Sequence, residues 1–252
     1  MTAARLLRAY LVEAKYESLR MLRAPGFAIP FLGLPVMLYL LFAVLIFGAA
    51  VRSEPLAGKA LFTAFAVMGV IGPGMFGFGV IVAMERDQGY LVLKRALPMP
   101  PAANFVARML MAMIFAALVM ISVAVAALTA GHVALTIGEL LATFAVGVAG
   151  ALPFCAMGLA IGAYVSGRAA AAVVNLVYLP MLHLSGLFYP LPAFLQSIAP
   201  IWPPYHLNRL ALAAAGAPVR GEAATHAAIL VAETLLFGLI AVRRLDKEER
   251  RR

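Results

Sequence analysis

Six stretches of this chain are nearly free of charge, and the charged positions collect between them. Residues 27–49 and 60–83 contain no charged side chain. Residues 105–128 contain one, Arg108, close to their start. Residues 140–165 and 169–188 contain none, and 223–242 contain Glu233 alone. About 20 apolar residues carry a helix across a hydrocarbon core about 30 Å thick. Each stretch therefore predicts a membrane-spanning helix, and the expected fold class is an all-α integral membrane protein with six transmembrane helices in one domain over residues 1–252. The composition agrees. The chain is 64% hydrophobic and only 12% charged, with a mean hydropathy of +0.98. Soluble domains are about 45–50% apolar and about 25% charged, so a bilayer is the expected solvent for so much apolar surface.

Three further segments have patterns of their own. In residues 1–25, Leu6, Leu7, Tyr10, Leu11, Ala14, Ser18, Met21 and Leu22 recur at helical spacing, while Arg5, Arg8, Lys15, Glu17 and Arg20 fall mostly elsewhere. This predicts an amphipathic helix lying in the membrane interface, stopped by Pro25-Gly26. Residues 84–104 form a polar loop with a short apolar middle around Tyr90, Leu91, Ala96 and Leu97. Residues 189–206 carry Pro190, Pro192, Pro200, Pro203 and Pro204 among Phe194, Leu195, Ile198 and Trp202. That segment is too apolar for a free loop and too rich in proline for a span. It predicts short helices dipping into the outer leaflet as a re-entrant hairpin.

The second span contains Gly72-Pro73-Gly74-Met75-Phe76-Gly77, a literal match to the dinucleotide fingerprint G-x-G-x-x-G. That fingerprint needs a preceding strand and an acid about 20 residues on. Here the context is a charge-free helix, and Arg95 stands near the acid's place. The glycines instead suit a membrane helix that bends or is closely approached by another backbone. In the fourth span Gly147, Ala151, Cys155, Gly158, Gly162 and Ser166 form a second stripe of small residues, expected to serve packing within the bundle.

The net charge of +9 would suggest nucleic acid in a soluble protein. Here the charge sorts by side of the membrane. Sixteen of the twenty lysines and arginines lie in the N-terminal segment, the loop after span two with Arg108 at its edge, the loop after span four and the C-terminal tail. The excess of basic residues on one side predicts that both termini are cytoplasmic, in a bacterial-type inner or cytoplasmic membrane, and no nucleic-acid partner is called for. Residues 27–49 are too long for the apolar core of a cleavable signal peptide. Cys155 is the single cysteine, which rules out an intramolecular disulfide, and His132, His183, His206 and His226 lack metal-site spacing. No G-x-x-x-x-G-K-[ST] nucleotide loop occurs.

The first two spans carry Tyr39, Phe42, Phe62, Phe65, Met68 and Phe76, side chains that suit an amphiphilic or apolar cargo as well as a packed core. Asn175, His183 and Glu233 are polar groups within spans and therefore candidate pathway residues. Glu233 is expected to face protein or a groove at a dimer interface, with His183, His226 and Asn175 as candidate partners.

Glu85-Arg86-x-x-Gly89-x-Leu91, followed by Lys94-Arg95 and Pro98-x-Pro100, resembles the cytoplasmic loop of ABC-2 type transporter permeases. Ser185-Gly186-Leu187-Phe188-Tyr189-Pro190 and the run from Pro200 to His206 are similar to the segment between that family's fifth and sixth spans. The order of these blocks, the six spans and the amphipathic start extend the resemblance over nearly the whole chain. It implies a permease that works with a separate ATPase, usually as two permeases and two ATPase subunits, with membrane lipids around it. Glu85, Arg86, Gly89, Leu91, Lys94, Arg95 and Pro98 would then form the contact with the ATPase, on a cytoplasmic coupling helix in residues 84–104. Gly186, Phe188, Tyr189 and Pro190 would form an outer gate. This chain would bind no cofactor and would not be an enzyme; ATP and Mg would belong to the partner. The loop is nearer the drug-export type of the family, and Asp87-Gln88 stand where the family more often has a second charged pair. Two other classes fit the chain less well. An ATP-independent secondary transporter or channel often shows internal repeats, and none is clear here. A lipid-modifying membrane enzyme needs clustered acids or metal ligands, whereas the eleven acids are scattered.

Overall fold

A computed structural model describes residues 3–90, 93, 103–219 and 221–249. Among the described residues there are helices and no strands, and six helical stretches are long and apolar enough to cross a membrane. Helix α1 covers Ala3–Leu22 and α2 covers Pro25–Tyr39, with Pro25 in its first turn, where a missing N–H costs nothing. Pro30 and Pro35 lie inside α2, which continues as a π-helical stretch over Leu40–Ile46. Helix α3 is short, Gly48–Ser53, and α4 is long, Pro55–Asp87. Helix α5 covers Ala103–Thr129.

The fourth span is two helices, α6 (Ile137–Ala149) and α7 (Ala151–Tyr164), meeting at Gly150. Helix α6 starts with a capping box in which the Thr136 side chain and the Glu139 backbone and side chain satisfy one another. Helix α8 covers Gly167–Leu184. The segment after it folds as α9 (Ala193–Gln196), a 3-10 turn (Ala199–Ile201) and α10 (Pro203–Ala214). Helix α11, Ala223–Glu249, ends the described chain.

Helix α4 is the axis of the bundle. In its most apolar stretch 83% of residues are buried, against 17% in α2 and 17% in α11. It packs on α7 above all, and also on α5, α8, α2 and α10. The large side chains at its surface, Phe62, Ile71, Met75 and Phe78, are fully buried. The outer helices turn apolar side chains outward: Leu45, Leu176 and Leu235 are each more than two-thirds exposed. Such a surface is untenable in water and suits acyl chains.

The glycines explain how α4 can be so enclosed. A Cβ at Gly72 would run into the Phe31 ring, and one at Gly69 into Val119 and Pro35. Gly158 and Gly162 of α7 face α4 directly. A Cβ at Gly158 would stand 2.7 Å from the Met75 carbonyl oxygen, and one at Gly162 2.7 Å from that of Phe78. Two helix backbones thus touch, as the stripe of small residues predicts. Helix α4 itself runs through Pro73 without interruption.

Gly158→Ala therefore has nowhere to put its methyl group, because the obstructing atoms are backbone. We expect a loss of about 1–3 kcal/mol, the usual range for overpacking. Gly238→Ala, on a part of α11 with open space around it, is expected to be neutral or slightly stabilising. Thermal unfolding of the two variants in detergent, followed by fluorescence size exclusion, checks the difference.

Candidate functional site: the polar end of helix α4

The chemistry of this chain concentrates at the C-terminal end of α4. Arg108, in the second turn of α5, has no exposed surface. An unpaired guanidinium in such a place is costly, so its partners are the first thing to find. Its Nη2 pairs with Glu85 Oε2 on α4. Its Nη1 lies 3.6 Å from Glu17 Oε1 on α1 and donates to the Gly77 carbonyl at 3.4 Å. Arg20 of α1 completes the set, reaching Glu17 at 2.7 Å and Glu85 at 3.0 Å. Two acids and two arginines thus form one neutral cluster joining α1, α4 and α5. Half-burial works against the Arg20 charge, but Glu17 and Glu85 outweigh it and hold the guanidinium above its ordinary pKa.

The next two residues tie in two more helices. Arg86 donates to the carbonyls of Gly162 at 2.9 Å and Val165 at 2.8 Å, groups at the end of α7 that have no partner within the helix. Asp87 accepts from the first backbone N–H of α8, at Gly167, at 2.6 Å, which suits the positive end of that helix. Glu85, Arg86 and Asp87 together fasten α4 to α1, α5, α7 and α8. Gly89 follows with φ of +77°, the left-handed conformation that ends a helix at least cost with glycine. A crevice of about 410 Å³ opens beside the cluster, lined by Arg20, Met21, Ile81, Met84, Glu85, Gln88 and Tyr90.

The expected contact residues are thereby divided. Glu85 is buried, and the Arg86 side chain is only 13% exposed, so both make their contacts within the chain. The reason is physical: Arg108 needs a counter-ion and the α7 carbonyls need donors. Leu91, Lys94, Arg95 and Pro98 lie outside the described residues. Tyr90 and Leu93, just beyond α4, are exposed.

The candidate pathway residues separate too. Tyr39, Phe62, Phe65 and Met68 are buried in the core, while Phe42 and Phe76 are half-buried. Phe65 stacks on Phe42 at 5.7 Å and meets Phe188 at 5.4 Å. His183 lies against Phe188 at 6.1 Å and Tyr189 at 6.3 Å. An aromatic row therefore links α2, α4 and the turn after α8, where Gly186 has φ of +66° and Tyr189 and Pro190 are exposed. The candidate partners of Glu233 are engaged elsewhere. Asn175 and His183 bond to carbonyls one turn back in α8, at 3.0 and 2.8 Å, and His226 meets His206. Glu233 is half-buried, with Oε2 buried and without a hydrogen-bond partner among the described residues. A short polar side chain on a helix reaches its own backbone more readily than a side chain on another helix.

Removing one member of the cluster leaves the others buried and uncompensated. Arg108→Met is expected to cost about 3–5 kcal/mol. The double variant Glu85→Met, Arg108→Met is expected to be less damaged than the sum of its single variants. Denaturation midpoints of the four proteins in one detergent check this coupling.

Comparison with known proteins bears on what this bundle is. The sequence pattern of the ABC-2 type transporter family matches residues 8–215, a stretch that takes in Glu17, Glu85, Arg108 and α10. The Bacillus subtilis (strain 168) protein named "Putative transport permease YvfS" is 26% identical over 230 residues, covering 89% of this chain and 92% of that relative. With six helices long and apolar enough to cross a membrane and a family match over most of its length, this chain belongs to the ABC-2 type transporter family.

Proposed function

We propose that this chain is the membrane-spanning permease subunit of an ATP-binding-cassette exporter, moving an amphiphilic or apolar substrate with energy from a separate ATPase. Family membership supports a transporter subunit and, in general terms, an ATPase partner. The observation that carries the reading is the brace at the end of α4. The loop after Gly89 is continuous with the one helix that packs on α2, α5, α7, α8 and α10. A push on that loop reaches the whole bundle through Glu85, Arg86 and Asp87.

In this reading Gly89, Leu91, Lys94, Arg95 and Pro98 belong to the coupling loop that meets the ATPase, while Glu85 and Arg86 transmit its movement. ATP and Mg are held by the partner. A second permease copy completes the pathway, and two ATPase subunits drive it. Both termini face the cytoplasm, in keeping with the distribution of basic residues. Helix α1 lies at the inner interface, where exposed Leu7, Leu11 and Tyr16 alternate with Arg8 and Lys15. Residues 189–206 dip into the outer leaflet. Phe188, Tyr189 and Pro190, after the turn at Gly186, form the outer gate, and Asn175, His183 and Glu233 face the interface between copies.

Affinity purification of the tagged chain from its native membrane is expected to bring down an ATPase subunit. Lys94→Ala with Arg95→Ala is expected to leave the permease monodisperse but to strip the ATPase from it. Arg86→Ala is expected to keep the complex and lose most transport. Persistence of assembly and transport in all these variants, or the absence of any ATPase from the unaltered preparation, overturns the reading.

Orientation is checked separately, with single cysteines in a Cys155→Ala background. Impermeant reagent added to intact cells is expected to label Ser53→Cys and Ser197→Cys but not Gln88→Cys. All three positions are exposed in the fold.

A further inference from the structure

Span four breaks where the sequence withholds both a side chain and a donor. Gly150 joins α6 to α7, and Leu207 of α10 sits in the room that its missing Cβ leaves; a Cβ there would run into the leucine's Cδ1. Pro153, three residues on, has no N–H to give the Ala149 carbonyl, so the hydrogen-bond ladder is cut at this point. Helices α10 and α11 pass the break without closing it. Between them and the two halves of the span lies a groove of about 500 Å³. Val146 and Pro153 form one wall, Leu207 and Leu210 a second, Leu230 and Val231 a third. Among the described residues that line it none is charged. Thr234, the polar side chain there, donates to its own helix at the Leu230 carbonyl, 2.7 Å away. The groove is continuous with the acyl-facing surface, because Val231 and Leu235 of its rim are 59% and 68% exposed.

The chemistry of the walls decides what fills this space. A buried water needs about two to four polar partners, and the one hydroxyl in the lining is already bonded. An empty groove forfeits the dispersion contacts of its wall atoms. A helix of a second copy is too large. The groove runs along α11 from Ala227 to Leu235, eight residues or about 12 Å, and a helix about 10 Å across needs roughly 900 Å³ over that length. A hydrocarbon chain is narrower, has no polar group to satisfy along its length, and is the medium at the mouth. Its gain is not removal from water, since the bilayer is equally apolar; it is the contact restored to the walls.

We propose that this groove binds one acyl chain of a phospholipid, drawn from the leaflet that meets the start of α11. The acyl chain stands in for the side chain that the break at Gly150 lacks and braces α6 and α7 against α10 and α11. The site rests on the protein's spanning a membrane, and not on an ATPase partner or on which face is cytoplasmic.

The test uses the full chain in nanodiscs of phosphatidylcholine that carries a photoreactive diazirine on its acyl chain, with adducts mapped by mass spectrometry. Adducts are expected on Leu152 and Leu210, half-buried residues on opposite walls, as well as on Leu45 of the first span, which is 77% exposed. After exchange into detergent and before illumination, bulk lipid is washed away. The ratio of adducts on Leu152 and Leu210 to those on Leu45 is then expected to rise about tenfold, the change produced by about 1.4 kcal/mol of preference for the groove. Ala149→Trp and Val231→Trp fill the groove from facing sides, and each is expected to abolish that rise. Absence of adducts on both groove leucines in the unaltered protein overturns the site. Equal loss at all three positions on exchange also overturns it, because bulk lipid alone then visits the groove. An undiminished rise in both tryptophan variants places the retained lipid elsewhere and overturns it too.

Discussion

A guanidinium with no exposed surface inside an apolar bundle is the constraint from which much else follows. Arg108 must be met by carboxylates, and among the described contacts they come from α1 and α4. Once they do, the N-terminal helix is fixed to the bundle beside the long axial helix, and Arg20 pairs with both acids. Such a cluster is a poor source of net stability, because desolvation consumes most of the attraction. It is a strong source of specificity. Any arrangement of the three helices that separates the four side chains strands a charge away from water.

The second organising feature is contact between backbones. Gly74 and Gly79 of α4 lie against Gly158 and Gly162 of α7, so dispersion between helices acts at its shortest range. The charged cluster and the glycine contact hold different parts of α4. Glycines hold the apolar length, and Arg86 closes the end by taking the last carbonyls of α7. Helix α4 is therefore held along its whole length, and motion at its polar end travels through a stiff, densely packed element.

The six spans were legible because the bilayer enforces a simple rule, a run of about twenty apolar residues, and charge-free runs such as 60–83 obey it. The packing role of Gly158 and Gly162 was legible for a similar reason: spacing alone puts them on one face. The site was much less so. Arg108 was visible as the one charge in its span, but its partners lie 23 and 91 positions away, and only folding brings them together. Glu85 and Arg86 read as surface residues because they begin a polar loop, and that loop starts inside the protein envelope. The break at Gly150 was hidden because both halves are equally apolar. The pairing of His206 with His226 links two helices across a loop and carries no periodic signal.

The order of the cluster along the chain has a bearing on how the protein is made. Glu17 and Glu85 both precede Arg108, so each carboxylate leaves the ribosome before the arginine does. A lone arginine costs about 2.5–3.5 kcal/mol at the centre of an inserting helix on the scale that the insertion machinery obeys, and less near an end, where Arg108 lies. In this chain the counter-charges are already synthesised when the third span arrives, and that cost falls on a pair rather than on a single ion. The two acids thus precede the helix that needs them, an order fixed by the direction of translation.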